Sequence, residues 1–457
     1  MSQNTNRALI VILIVTTVAC SGVMVSGCSR TESQERPNFV FILTDDHRFD
    51  AMGCSGDPRL QTPNLDRLAA EGVRFTNAFV TTSLCSPSRA SFLTGCYAHS
   101  HGVVANEIMD PDRSLATFPD LLQQAGYETA FVGKWHMLRR ATPRQGFDHW
   151  VSFNGQGEYY RNTLNVDGEW VLTHNYITDE LTEYAQRFIE KEHDRPFLLI
   201  VSHKAVHAPN GPAPRHMNNY ADLEFKARDS RWDNLTNKPI FGGRRQHMNP
   251  EEEIKNYHRC ILAVDESIGR IMDVLLEQNI LEHTVVIYAG DNGYLHGEHV
   301  GLWDKRLAYE PSIRIPLLMR YPALVNPGTR CEALVLNIDL APTVLQLAGV
   351  PRPDFMEGQS WLGVLSGQPG RNAFLYEYFK ELGEVPTIVA LRTKEWKYVT
   401  YPLNPDLPSE LYHLKYDPEE LHNRIAESAY ENIINQLALD LESLKQETDF
   451  KFPSAEQ

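Results

Sequence analysis

The residues able to do chemistry in this chain fall into a few short runs. The first is Cys85-Ser86-Pro87-Ser88-Arg89-Ala90-Ser91-Phe92-Leu93-Thr94-Gly95: a thiol, a proline two residues on, an arginine four residues on, and a Leu-Thr-Gly ending. This spacing fixes a nucleophile, a turn and a cation together. Taken singly, Cys85 could also be a buried structural thiol, because free cysteine behaves as a small hydrophobe. Asp45-Asp46 and Asp291-Asn292 form a second set. All four are oxygen donors, which suits one hard cation such as calcium far better than zinc. Lys134, His136 and His207 are further ionisable residues, of types able to stabilise charge or move a proton.

Most of these residues follow apolar runs of strand length. Residues 37–44 end in Asp45-Asp46, and Thr129-Ala130-Phe131-Val132 ends in Gly133-Lys134-Trp135-His136. Phe197-Leu198-Leu199-Ile200-Val201 leads to His207, and Thr284-Val285-Val286-Ile287-Tyr288-Ala289 leads to Gly290-Asp291-Asn292-Gly293. Continuous apolar runs predict strands buried on both faces of a parallel sheet. Between them lie helical patterns: one opened by Thr62-Pro63, with Leu65, Leu68 and Ala69 as its stripe, one over 178–190 and a long one over 250–278. The alternation predicts an α/β fold with a large, mostly parallel sheet flanked by helices. Open α/β sheets bind ligands outside the C-terminal ends of their strands, where these polar residues fall. A helix opening at Pro87 or Ser88 would aim its amides and positive dipole end toward Cys85, favouring an anion there. Arg89 is read as holding the residue-85 side chain or neutralising metal-bound carboxylates. Beyond residue 370 the pattern changes to alternation over 387–401, a short strand at 410–414 and a helix over 426–446, predicting a smaller C-terminal α+β subdomain over 371–457.

The chain has 457 residues, 42% hydrophobic and 22% charged, the profile of a soluble globular protein with a sizeable core. Its formal net charge of -16 argues against nucleic acid as a partner and requires a local Lys/Arg cluster for any anionic substrate. Arg7, the apolar run from Ala8 to Val15 and the small residues up to Cys28 read as a signal peptide over 1–28, followed by a polar tether over 29–36. The run is too short and too interrupted for a membrane span. Val25-Ser26-Gly27-Cys28 resembles a bacterial lipoprotein box, which implies an exported protein anchored through lipidated Cys28, with Ser29 resembling the outer-membrane sorting preference; Thr17-Val18-Ala19-Cys20 is a second candidate. Five cysteines follow Cys28, an odd number that leaves one unpaired and permits up to two disulfides.

The Cys85 run resembles the signature of type I sulfatases, of the alkaline phosphatase superfamily. Asp45-Asp46, the Cys85 run, Gly133-Lys134-Trp135-His136, His207-Ala208-Pro209, Asp291-Asn292-Gly293 and Gly297-Glu298-His299 to Lys305 occur in that family's order. The resemblance implies an alkaline phosphatase-like fold and a Cys85 oxidised to formylglycine by a maturation enzyme. It implies one Ca2+ held by Asp45, Asp46, modified Cys85, Asp291 and Asn292, and a sulfate surrounded by Lys134, His136, His207 and Lys305, with Arg89 among the catalytic residues. Tyr309-Glu310-x-Ser312-x-Arg314 is similar to the family as well and is given structural roles. Segments 175–181 and 202–209 look similar to bacterial enzymes acting on N-acetylglucosamine 6-sulfate and related glycans, implying a sulfated saccharide substrate. Residues 153–170, with Tyr159, Tyr160 and Trp170, and residues 210–249 are expected to select the sugar. Two other readings stay open on the sequence: a phosphonate monoester or phosphodiester hydrolase of the same superfamily, and a non-catalytic glycan-binding surface lipoprotein. A lapsed enzyme would be expected to have lost some of the residues named, and all are present.

Overall fold

The computed structural model describes residues 1, 36–106, 115–137, 140–225, 228–239, 249–380 and 385–453. The expected signal peptide, Cys20, Cys28 and nearly all of the tether lie outside them. The large sheet contains β1 (Asn38–Thr44), β2 (Val73–Phe79), β3 (Glu128–Lys134), β4 (His149–Phe153), β5 (Thr163–Val166), β6 (Glu169–Leu172), β7 (Phe197–Ser202), β8 (Thr284–Gly290), β9 (Leu317–Arg320) and β10 (Thr329–Leu336). Their order is β10-β2-β9-β8-β1-β7-β3-β4-β5-β6. The central run β8-β1-β7-β3-β4 is parallel throughout, with Val40 opposite both Val286 and Leu199.

Period-two alternation explains how the sheet is covered. In β1, Val40 and Ile42 face the helices Ile177–Glu190 and Pro250–Glu277, which bury Leu181, Ala185, Ile261, Val264 and Ile268 against them. Phe39, Phe41 and Leu43 face the other side, where Phe92 of the helix Cys85–Thr94 and Leu345 of the helix Leu340–Leu347 lie. Helices on both faces bury the strands completely, which is why these strands read as unbroken apolar runs.

The sheet is more mixed than the sequence predicts. β9 runs antiparallel to both β2 and β8, and β4, β5 and β6 form an antiparallel edge. Two of the strands without an unbroken apolar run are less completely buried: β2 mixes buried and partly exposed residues, and all four residues of β6 are exposed. The C-terminal portion carries a second, antiparallel sheet of β11 (Ala373–Tyr378), β12 (Ile388–Thr393), β13 (Trp396–Thr400) and β14 (Glu410–His413), with Leu437 and Leu441 of the helix Glu431–Glu447 packed in its core. Residues Arg36–Gln457 form one compact unit. Cys54, Cys85, Cys96, Cys260 and Cys331 are all free, so neither permitted disulfide forms among the described residues.

One contact ties the small sheet to the Cys85 side of the molecule and makes stability depend on pH. His99 Nδ1 donates to Glu377 Oε2 at 2.6 Å and Nε2 to the Thr448 carbonyl at 2.9 Å. Burial alone would lower the imidazole, but the buried Glu377 carboxylate and the two hydrogen bonds outweigh it and raise it to about 9. A raised imidazole contributes stability that is fully present below its unfolded value near 6.5 and is lost as pH rises through 9; the amount is on the order of 3 kcal/mol. The melting midpoint is therefore expected to fall between pH 6.5 and 9.5, and His99→Gln to flatten that fall. An equally steep profile in the variant would assign the dependence to another group.

Candidate active site

The parallel run brings the ends of β8, β1, β7 and β3 to one edge, and the chemistry-bearing residues collect there. Asp45 and Asp46 follow β1, Lys134 ends β3 with His136 two residues on, His207 follows β7, and Asp291 and Asn292 follow β8. Gly133 is needed because a Cβ there would stand 1.9 Å from the Ser202 carbonyl of neighbouring β7. Asp46 and His136 both have φ of +59°, a left-handed conformation uncommon for residues with a side chain and frequent at functional sites.

The helix carrying the thiol begins at Cys85 itself, with Leu84 as its N-cap, two or three residues before the expected start. The nucleophile thus stands in the first turn, within the positive end of the dipole. Cys85 Sγ lies 3.3 Å from Asp45 Oδ1 and 2.7 Å from Lys305 Nζ. Lys305 also donates to Asp46 Oδ1, and Lys134 Nζ to Asp45 Oδ2 and Gln156 Oε1. Arg89 Nε and Nη2 reach Asp291 Oδ2 at 2.9 and 2.8 Å, while Nη1 donates to the Lys134 carbonyl and to Ser202 Oγ at 2.8 and 2.6 Å. Of the two roles expected for Arg89, the geometry gives it the neutralisation of a carboxylate. His207 Nδ1 donates to the Ala208 carbonyl at 2.5 Å, which leaves Nε2 facing Asp46 Oδ2 at 3.8 Å.

Burial sharpens the electrostatics. It pushes the Cys85 thiol up to about 12, with Asp45 adding to the effect, so the unmodified side chain is a neutral thiol and a poor nucleophile. Burial would also raise Asp45, but Lys134, then His207, Lys305 and Arg89, hold it well below the usual carboxylate range. Asp291 goes the other way, to about 7, through burial and the neighbouring Asp45. Burial lowers His207 to about 4 and, aided by Lys134, takes His136 well below the usual imidazole range. It would lower Lys305 too, but Asp46, Cys85 and Asp45 raise that ammonium well above its usual range.

Three carboxylates, Asp45, Asp46 and Asp291, present oxygens all within 4.8 Å of one another. Asn292 Nδ2 is committed to Asp46 Oδ1 at 2.6 Å and to the Gly293 carbonyl at 2.8 Å, and its buried Oδ1 has no hydrogen-bond partner. An orphaned carbonyl oxygen beside three carboxylates is the donor set of a hard divalent cation.

All ten residues singled out in the sequence are within this assembly. A cavity of about 320 Å³ opens beside Asp46, His207 and Lys305, whereas clefts of about 670 and 590 Å³ elsewhere are lined by none of the ten. Its walls differ from expectation. Tyr159 is buried behind His207, donating to the His207 carbonyl at 3.0 Å, and Trp170 stands on the exposed edge strand β6. Gln156, Asn106, Glu253, Trp303 and Arg306 line the cavity instead. Of these, Gln156 and Trp303 fall in stretches marked by the sequence, 153–170 and 297–305; Glu253 lies in the first turn of a helix, and Asn106 and Arg306 lie in loops without periodic signal.

Comparison with known proteins gives the family. A family model described as Sulfatase matches residues 37–350, and one described as N-sulphoglucosamine sulphohydrolase, C-terminal, matches residues 297–447. The chain is 31% identical to an N-acetylglucosamine-6-O-sulfatase of Bacteroides thetaiotaomicron, over 94% of this chain and 89% of that one. It is also 31% identical to an ulvan-active sulfatase of Formosa agariphila, over 98% and 88%. A protein solved in complex with its substrate D-glucosamine-2-N,6-O-disulfate superposes with a TM-score of 0.84 at 30% identity, over 91% of this chain and 98% of that one. The chain belongs to the sulfatase family and is a sulfuric ester hydrolase.

Proposed function

We propose that this sulfatase removes 6-O-sulfate from N-acetylglucosamine-type saccharides, using a formylglycine made from Cys85 by a maturation enzyme and one Ca2+ held by Asp45, Asp46, residue 85, Asp291 and Asn292. The observation that carries this reading is the placement of Cys85, with Lys305 Nζ at 2.7 Å and Asp45 Oδ1 at 3.3 Å, at the head of a helix and the edge of the sheet. The sugar is supported by the N-acetylglucosamine-6-O-sulfatase and by the disulfated glucosamine bound to the similar solved protein. The protein is placed outside the cytoplasm, in the periplasm or at the cell surface, as a lipoprotein anchored through Cys28; residues 1–28 carry that proposal by sequence alone.

Residue 85, once converted to an aldehyde hydrate, would supply two hydroxyls on one carbon, and a cation held by Asp45, Asp46, Asp291 and Asn292 would supply Lewis acidity beside them. The chain's own residues do the rest. Lys134 and Lys305 hold sulfate oxygens and stabilise charge that grows on them. Arg89 holds Asp291 in place and favours its ionised form against burial and the neighbouring Asp45. His207 lines the cavity with Nε2 directed inward, and gives its proton there to the departing sugar oxygen once the bound anion has raised its basicity. His136 is buried and neutral, with an unpartnered Nε2 able to accept a proton or a hydrogen bond.

Sulfate release from monosaccharides sulfated at single defined positions tests the proposal. The 6-O-sulfated N-acetylglucosamine is expected to turn over at least about tenfold faster than other positional isomers, the equivalent of ~1.4 kcal/mol in the transition state, and far faster than its 6-phosphate counterpart. Preference for another ring position would overturn the sugar assignment, and preference for the phosphate would favour the phosphoester reading.

A further inference from the structure

Lys305 is delivered by an unusual turn. Between Leu295, whose amide donates to the Asp304 carbonyl at 2.8 Å, and Leu302, whose carbonyl accepts from Gly297 N at 2.8 Å, the backbone reverses. It does so through left-handed residues: φ is +93° at Gly297, +48° at His299, +62° at Val300 and +85° at Gly301. Glycine tolerates this region; a β-branched valine is among the residues least suited to it, and His299 beside it adds to the strain. Such a conformation persists only where the surroundings over-determine it.

Those surroundings come from two distant segments. His299 is buried, and its Nδ1 donates to Asp233 Oδ2 at 2.8 Å while its ring stacks on Tyr309 with centroids 3.8 Å apart. The Asp233 carboxylate is also paired with the buried Lys238 ammonium, which donates to the Glu420 carbonyl at 2.5 Å. On the other side of the turn, Arg48 Nη1 donates to Glu298 Oε1 at 2.8 Å. Residues 228–239 were expected to help select the sugar; here they bury an ionic contact against the base of a catalytic lysine.

Resting on the reading of Lys305 as an active-site cation, we propose that Asp233, oriented by Lys238, is a positioning residue. It clamps His299, holds the left-handed turn at Val300, and so fixes where the Lys305 ammonium stands at the sulfate ester. None of Asp233, Lys238 and His299 lines the cavity beside Lys305, so loss of the clamp should act on the chemical step more than on binding; small misplacements of catalytic groups cost rate steeply.

The test combines Asp233→Ala with Val300→Gly, using sulfate release for kcat and KM and thermal melting for the fold. Asp233→Ala is expected to lower kcat about tenfold or more with KM changed less than about threefold. Adding Val300→Gly, which accepts the left-handed geometry without a clamp, should restore most of the lost kcat. Val300→Gly alone should melt higher than wild type, because it relieves strain at an exposed position. A wild-type kcat in Asp233→Ala, or a loss that Val300→Gly leaves unrepaired, overturns the proposal. If Asp233→Ala does not fold, Asp233→Asn takes its place in the same pair, with the same expected and overturning results. A wild-type protein that releases no sulfate defeats the functional reading instead, and the melting of Val300→Gly still decides the strain: no rise counts against the clamp.

Discussion

Cys85→Ala is expected to reduce sulfate release on the order of 10⁴-fold or more, while the fold survives. The expected loss is that large because the side chain at 85 is, among the described residues, the candidate nucleophile in contact with both Lys305 and Asp45, and removing a nucleophile from a cooperating set forfeits nearly all the acceleration the set provides. The fold should tolerate the change, because the deletion leaves a void of about one sulfur atom in a buried site, worth roughly 1 kcal/mol. Circular dichroism and thermal melting check the fold, and ion chromatography of released sulfate checks the turnover. Activity within tenfold of wild type would remove Cys85 from the chemistry.

Arg89→Ala should be the most destabilising single change at the site. Its buried guanidinium pairs with Asp291 and also donates to the Lys134 carbonyl and Ser202 Oγ. Removing one partner of a buried ion pair leaves an uncompensated charge and costs about 3–5 kcal/mol. Burial and the neighbouring Asp45 already push the Asp291 carboxyl up even with Arg89 beside it. Without the guanidinium its carboxyl should rise further, hold a proton at neutral pH and ligate a cation poorly. Arg89→Lys should recover little, since an ammonium cannot serve those acceptors from one rigid plane. Denaturant unfolding, together with a calcium titration followed by melting, measures both effects. A variant as stable as wild type that binds calcium equally well would contradict this account of Arg89.

The site was legible largely because its residues stand where the sequence is loudest. Asp45, Asp46, Lys134, Asp291 and Asn292 end or follow strands buried on both faces, so unbroken apolar runs point at them. The run from Cys85 to Gly95 carries its own spacing, and the structure moves only the helix start, to Cys85. What was not legible depends on distant contacts. β9 enters the sheet antiparallel between β2 and β8, a pairing no local pattern encodes. Gln156, in the loop after β4, meets Lys134 at the end of neighbouring β3, and Glu253 lines the cavity from a first helical turn rich in acidic residues. The turn that presents Lys305 was hidden more deeply. Val300 in a left-handed conformation runs against residue preference, and its reason lies in Asp233 and Lys238, some sixty residues earlier. Loops 153–170 and 210–249 look variable and polar in sequence, but their described residues include members that pack against and position the catalytic groups: Tyr159 behind His207 and Asp233 beneath His299.

The central claim is that residue 85 acts as an aldehyde hydrate, and the mass of the tryptic peptide containing it is the most direct measurement. Protein produced together with a formylglycine-generating enzyme is expected to yield that peptide about 18 Da lighter than the thiol form, or close to it when the aldehyde is hydrated, in a fraction that tracks specific activity. A fully active preparation in which the peptide carries only thiol would contradict it.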